Sequence, residues 1–404
     1  MLNHQDLPPE IWLDIFDWAT FNPNIITNAS TPFTPIPDST RDPNLQVRAA
    51  LASVCRTWRK WAAQSLYQDV KIRRDAHALK QALERYQHAA ASYGQLVRRV
   101  VLPYQSTVTG PSRTLESVEI LKLCPHLHTL QRPQHSLADP LSFDYEAECP
   151  PFPSLRRLDW WHHNEADRTG GINALGVVLR NAPHLRYLFV GGVISHTCME
   201  PGRVSLPDLE TVRLQVRSGM LLRQMVSQWF LPSLKHIILD SPVVRDGSQA
   251  IWETFGEQLE TMEFGKHVRF LISDFLTPCL TSCPNLKELN YYIFFTSPPE
   301  SDIVHSKLTT VGLHAHVNAL LVEGGSAWNL VEHHFEILTS PNLPALRRIV
   351  LYGDWRAVLL HSRFVTIKEM VKTSNRILEL SHQARPSSLD IGETDSSCCD
   401  YMAI

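Results

Sequence analysis

Glycine is scarce in this chain. Only 17 of its 404 residues are glycine, and the closest groupings are isolated pairs at 170–171, 191–192 and 324–325. No Gly-rich phosphate loop and no Gly-x-Ser-x-Gly elbow results, which removes the usual readable marks of nucleotide binding and serine hydrolysis. Long apolar runs are also missing, and no uncharged stretch approaches the roughly 20 residues a membrane helix needs. Excess charge of either sign is absent: 38 Lys+Arg face 41 Asp+Glu, a net −3. Such a balance gives no global attraction to nucleic acid or anionic lipid. The arginine pairs Arg98-Arg99, Arg156-Arg157 and Arg347-Arg348 are spread along the chain and read as solvated faces, not as a nucleic-acid stripe.

Cysteine is modest at 8 residues, and the start, Met1-Leu2-Asn3-His4-Gln5-Asp6, lacks the basic segment and apolar run of a signal peptide. Reduced thiols and a cytoplasmic or nuclear location are therefore expected. Cys279 and Cys283 lie four apart and Cys398 and Cys399 are adjacent, but neither pair has a second pair at zinc-site spacing. His162-His163-Asn164-Glu165-Ala166-Asp167 and Glu332-His333-His334 with Glu336 hold ligand-type side chains. Neighbouring histidines diverge on helix or strand, so one site rarely uses both, and no metal or cofactor is expected.

What the sequence does contain is a repeat. A leucine, two variable residues, an apolar residue, one variable residue and another apolar residue recur, often with proline two positions before the leucine. Pro153-Ser154-Leu155-Arg156-Arg157-Leu158-Asp159-Trp160 and Pro207-Asp208-Leu209-Glu210-Thr211-Val212-Arg213-Leu214 are two copies. The leading leucines fall at 127, 155, 185, 209, 234, 259, 286, 308 and 346, mostly 22 to 30 apart, with a weaker first copy at 97–102. The longer last gap is expected to hold an extra helical insertion. Between copies the apolar residues have helical spacing, as in Leu222, Met225, Val226 and Trp229. The expected fold is an α/β solenoid of leucine-rich-repeat type over residues 76–382, with parallel strands on a concave side and helices on a convex side. An acidic, serine-rich tail at 383–404 is expected to be disordered.

Residues 1–75 do not share the repeat. Leu7-Pro8-Pro9-Glu10 opens a helix in which Ile11, Ile15, Phe16 and Ala19 are expected on one face. A proline-rich insertion at about 21–45 follows, and helicity resumes with Val47, Ala50, Leu51 and Val54 and runs through Trp58 to Tyr67. Two or three helices make a small core, so this unit is either a cap for the array or a docking module completed by another protein.

These residues resemble a known family. Leu7-Pro8-Pro9-Glu10-Ile11 with Ile15-Phe16, then Val54-Cys55-Arg56-Thr57-Trp58, then Ser65-Leu66-Tyr67, is similar to an F-box motif across roughly the first 70 residues, apart from the proline-rich insertion. An F-box followed by degenerate leucine-rich repeats is a recurrent arrangement. The resemblance implies a non-catalytic substrate receptor of an SCF-type (Skp–cullin–F-box) ubiquitin ligase, held to a Skp-type adaptor and through it to a cullin–RING ligase. Carried over by position, the adaptor-facing residues are Leu7, Pro8, Ile11, Ile15, Phe16, Val54, Cys55 and Trp58, with Trp58 the expected hot spot. Cys55 reads as a small buried apolar residue. The alternative is a scaffold that binds an adaptor or another partner without directing ubiquitin transfer.

Strand alternation locates the target surface. In Leu-x-x-Leu-x-Leu, the residue between the last two apolar positions points away from the core. That set is Gln131, Asp159, Phe189, Arg213, Ile238, Glu263, Asn290, Gly312 and Val350. With neighbours two positions away it yields the expected substrate-binding residues Arg157, Asp159, Trp161, Tyr187, Phe189, Arg213, His236, Glu263 and Tyr292, since exposed aromatics and arginines favour binding. The target protein is not named by such a surface.

Overall fold

The computed structural model describes residues 7–21, 31–36, 44–72, 76–84, 86–87, 91–102, 115–133, 148–162, 175–192, 202–216, 219–241, 245–265, 274–293, 296–315 and 325–381. The tail after 383, Cys398 and Cys399, most of the 21–45 insertion and His163–Asp167 lie outside the described residues.

Twelve strands form one open, all-parallel sheet, arranged in the order in which they occur along the chain. They are β1 (Asp69–Lys71), β2 (Arg99–Val101), β3 (Thr129–Arg132), β4 (Arg157–His162), β5 (Tyr187–Gly192), β6 (Thr211–Val216), β7 (His236–Leu239), β8 (Thr261–Phe264), β9 (Glu288–Tyr292), β10 (Thr310–Ala315), β11 (Arg348–Gly353) and β12 (Ile377–Leu380). Helices cross between many of them, and the sheet does not close into a barrel. The repeat pattern located β2 to β11; β1 and β12 are additions that the pattern did not show.

The recurring proline has a local cause. At the copies that carry the proline, the amide of the leading leucine donates to the carbonyl three residues back: Leu127 to Cys124, Leu185 to Ala182, Leu234 to Leu231 and Leu286 to Cys283, at 3.1–3.3 Å. The proline occupies the second position of that turn, where its fixed φ is already correct. At Leu308, where no such proline stands, the His305 ring nitrogen Nδ1 accepts the amide instead, at 3.0 Å. At most copies one carbonyl just after the leucine then takes two amides of the next strand. Arg156 accepts from Arg186 and Tyr187, and Lys235 from Glu260 and Thr261, at 2.8–3.0 Å. This fork starts each strand in register with the one before.

One sheet face supplies the core. Leu130, Leu158, Leu188, Val212, Ile237, Met262, Leu289, Val311 and Ile349 are buried in one apolar cluster with residues of the intervening helices. In the helix Gly325–Thr339, Trp328, Val331, Phe335 and Leu338 enter that cluster at helical spacing. This helix fills the long gap before Leu346. Cys279 and Cys283 lie in the same core, and Cys283's hydrogen bond together with burial pushes the Cys279 thiol up.

Among the described residues, three helices precede the sheet: α1 (Pro9–Ala19), α2 (Leu45–Val54) and α3 (Arg56–Tyr67). Arg48 of α2 is buried and joins them to β1, reaching Asp69 at 4.0 Å and the Thr20 carbonyl at 3.4 Å. Asp69 accepts two 2.7 Å bonds from Arg99 of β2, whose other nitrogen donates to Gln131 of β3. Arg99, expected in a solvated pair, is thus buried in a charge chain that fastens the helices to the sheet.

Candidate functional site

Two surfaces stand out, one on the N-terminal helices and one on the sheet face opposite the core. On α1, Ile11, Ile15 and Trp18 recur every three or four residues, so they share one side of the helix, and they are exposed together with Leu7 just before it. Trp18 is 88% exposed, and Leu13, Phe21, Val47 and Val54 are exposed as well. Pro8 at the N-cap of α1 is exposed too. Of the expected common face of Ile11, Ile15, Phe16 and Ala19, only Phe16 turns inward; the other three are exposed. Phe16 is 1% exposed and packs its ring 5.0 Å from Trp58, which in turn lies 4.8 Å from Trp12. Phe16 is therefore core and Trp58 packs on it while staying half-buried, whereas Leu7, Ile11, Ile15 and Val54 are exposed.

Cys55 corrects another expectation. It is exposed, not buried, and caps α3: its backbone is extended and its Sγ accepts the Trp58 amide at 3.4 Å. Sulfur here takes the place of a serine or threonine hydroxyl in satisfying a free helix amide. Trp18, Phe21 and Val47 stand outside the matched positions of the motif, so the resemblance does not mark them. A helical wheel of α1 extended past Ile15 locates Trp18.

On the sheet, the strand pairing brings the selected positions into one row. Gln131 pairs with Asp159, Asp159 with Phe189, Phe189 with Arg213 and Arg213 with Ile238. The row continues through Glu263, Asn290, Gly312 and Val350. The face is not the solvated surface expected, because Asp159, Trp161, Phe189, Arg213, His236, Glu263, Asn290 and Tyr292 are all buried. Strands about 4.8 Å apart force large side chains of adjacent rows to lie over one another.

At one end, Arg157 donates from Nε to both Asp159 oxygens, at 3.0 and 3.1 Å, and lies 4.5 Å over the Tyr187 ring. Trp161 and Phe189 meet edge-to-face at 5.2 Å above Gly191, whose absent side chain leaves them room. Burial pushes the Tyr187 hydroxyl up to about 12, so it stays protonated.

In the middle, Arg213 holds Asp240 through two bonds, one at 3.2 Å from Nη2. Burial opposes the Arg213 charge, yet the neighbouring Asp240 carboxylate and its hydrogen bonds make the guanidinium hold its proton more tightly than usual. His236, buried beside Arg213, is pushed down to about 4 by burial first and that charge second. Burial raises Glu263 to about 7, against the downward pull of the Phe33 amide and Arg213. His236 Nε2 and Asn290 Oδ1 are buried with no hydrogen-bond partner among the described residues.

At the other end, Tyr292, His314 and Tyr352 stand side by side on β9, β10 and β11. His314 stacks on Tyr292 at 4.4 Å. Phe33, from the insertion between α1 and α2, meets all three rings edge-on at 5.0–5.2 Å. Nothing in the sequence marked Phe33, since contacts with residues so distant along the chain leave no local pattern.

The cluster at 332–336 separates as expected for neighbours in a helix. His333 reaches Glu336 at the surface, Glu332 binds Arg363, and His334 is buried between the Tyr291 hydroxyl and the Thr296 carbonyl. No helix among the described residues is long and apolar enough to cross a membrane. In comparison with known proteins, the chain matches no protein-family model and no curated protein.

Proposed function

We propose that the chain is the substrate-recognition subunit of an SCF-type ubiquitin ligase, with an F-box module in residues 1–75 and a leucine-rich-repeat solenoid in 76–382. A Skp-type adaptor docks on the helices, and a target protein docks on the concave sheet face. The observation that carries this reading is the exposed stripe Ile11, Ile15 and Trp18 on α1, together with Leu7 just before it and Val54 at the end of α2. A helix that leaves this much apolar surface uncovered in so small a unit is the sort that a partner completes. The Arg48–Asp69–Arg99 chain supports the rest of the reading, because a receptor must hold its target at a defined distance from the ligase. In this role the chain performs no chemistry and contributes proximity.

A scaffold that binds the adaptor without ubiquitin transfer shares every one of these features up to cullin recruitment. Reconstitution with a purified Skp-type adaptor and a cullin separates the two. A ternary complex containing the cullin supports the receptor, and adaptor binding without cullin recovery supports the scaffold. No adaptor binding at all refutes both.

A further inference from the structure

We propose that Tyr292, His314 and Tyr352, with Arg213 and Glu263 beside them, form a binding subsite for an aromatic side chain presented on a proline-containing peptide turn, and that Thr31–Ile36 is an internal ligand occupying it. This deepens the reading of the sheet face as a target surface and rests on it.

The segment Thr31-Pro32-Phe33-Thr34 is a self-contained turn. The Thr34 amide donates to the Thr31 carbonyl at 3.3 Å, and its hydroxyl does so at 2.6 Å. Proline at the second position and φ of +60° at the third is the type II pattern. Glycine or asparagine is the usual third residue, because a left-handed backbone is unfavourable for a bulky side chain. Phenylalanine stands here nonetheless, and its ring is the part that the three aromatic residues hold. The sheet reads the backbone as well. The Phe33 amide donates to Glu263 Oε2 at 3.1 Å, and the Thr34 carbonyl accepts from Arg213 Nη1 at 2.7 Å. One ring, one amide and one carbonyl are thus recognised by side chains of five different strands or strand ends.

The occupant is tethered on both sides, between α1 and α2, so its local concentration is of roughly millimolar order. A target with a turn of this kind competes with it, and the strap sets a threshold for binding. Every recognition element on the sheet faces the strap and none is on it, so a free peptide of the same chemistry fits equally.

The test uses the full chain with Phe33→Gly, which keeps the left-handed turn and removes the ring. The probe is a synthetic peptide with the sequence of residues 31–36, observed by saturation-transfer NMR at its phenylalanine ring protons, a method suited to weak binding. The expected result is clear transfer with the Phe33→Gly chain and at least ten-fold less with the wild type. Adding Tyr352→Ala to Phe33→Gly should abolish it, as should alanine in place of the peptide's phenylalanine. Absence of transfer with a Phe33→Gly chain whose melting temperature matches wild type overturns the proposal. Equal transfer with wild type, or with the alanine peptide, overturns it too. Adaptor binding by the same preparations reports separately on the receptor reading, so either can fail alone.

Discussion

Asp69 is the residue whose loss should cost the most for a single charge. Its carboxylate takes two 2.7 Å bonds from Arg99 and faces Arg48 at 4.0 Å. The three side chains are at most 5% exposed. Asp69→Ala leaves two guanidinium groups buried near one another, with the Thr20 carbonyl and Gln131 among their neutral acceptors. Removing one partner of a buried ion pair costs about 3–5 kcal/mol, most of it the desolvation of the abandoned charge. With a urea slope of roughly 3 kcal/mol per molar, the unfolding midpoint falls by about 1–1.7 M. Because α1 to α3 are joined to the sheet through this point, their tryptophans should also lose order before the sheet does. Tryptophan fluorescence followed beside far-ultraviolet circular dichroism reads both effects. A midpoint shift below about 0.3 M would refute the claim that this charge chain fastens the two parts.

Other outcomes follow from single features. Ile11→Asp with Ile15→Asp alters only exposed positions, so stability should stay within about 0.5 kcal/mol of wild type while adaptor binding is lost; circular dichroism melting and co-purification check the two halves. Gly191→Ala places a Cβ 2.6 Å from Phe189 and 2.8 Å from Trp161, so it should destabilise by about 1–3 kcal/mol through overpacking, measured by denaturant unfolding. His236 and His334 are each held at about 4, below the ordinary 6.5, mainly by burial. The stability they contribute is present above pH 6.5 and is lost as pH falls toward 4, by up to about 3 kcal/mol each; His334→Gln should flatten the pH dependence of the melting temperature. Glu263, raised to about 7 by burial despite Arg213 and the Phe33 amide and alongside Asp240 and Glu288, acts in the opposite sense. Its contribution is present below about pH 4.5 and is lost as pH rises through 7, so Glu263→Gln should steepen the loss on acidification.

Strand positions were legible because the pattern that marks them is the pattern that buries them. An apolar residue at alternate positions after a Pro-x-Leu turn forces both the strand and its register, so Gln131 through Val350 could be aligned from spacing alone. The ends of the sheet were less legible. Asp69–Lys71 carries no leading leucine, and Ile377–Leu380 is only half-covered, so neither shows the full alternation. What spacing could not convey was the environment of the second face. A sequence shows that Arg213 points away from the core, but not that Asp240 and Thr34 will meet it there. Motif wording was also an uneven guide to the N-terminal helices. It grouped Phe16 and Trp58 with Ile11 and Ile15, although rings of that size pack first against each other when a core is so small.

The most direct measurement is the affinity of the purified chain for a Skp-type adaptor, compared with the Ile11→Asp/Ile15→Asp variant by calorimetry at matched folding. A one-to-one complex for the wild type, weakened at least a hundred-fold in the variant, is the expected result. Equal binding by both, or binding by neither, would contradict the assignment of the α1 stripe as the docking surface and the receptor function built on it.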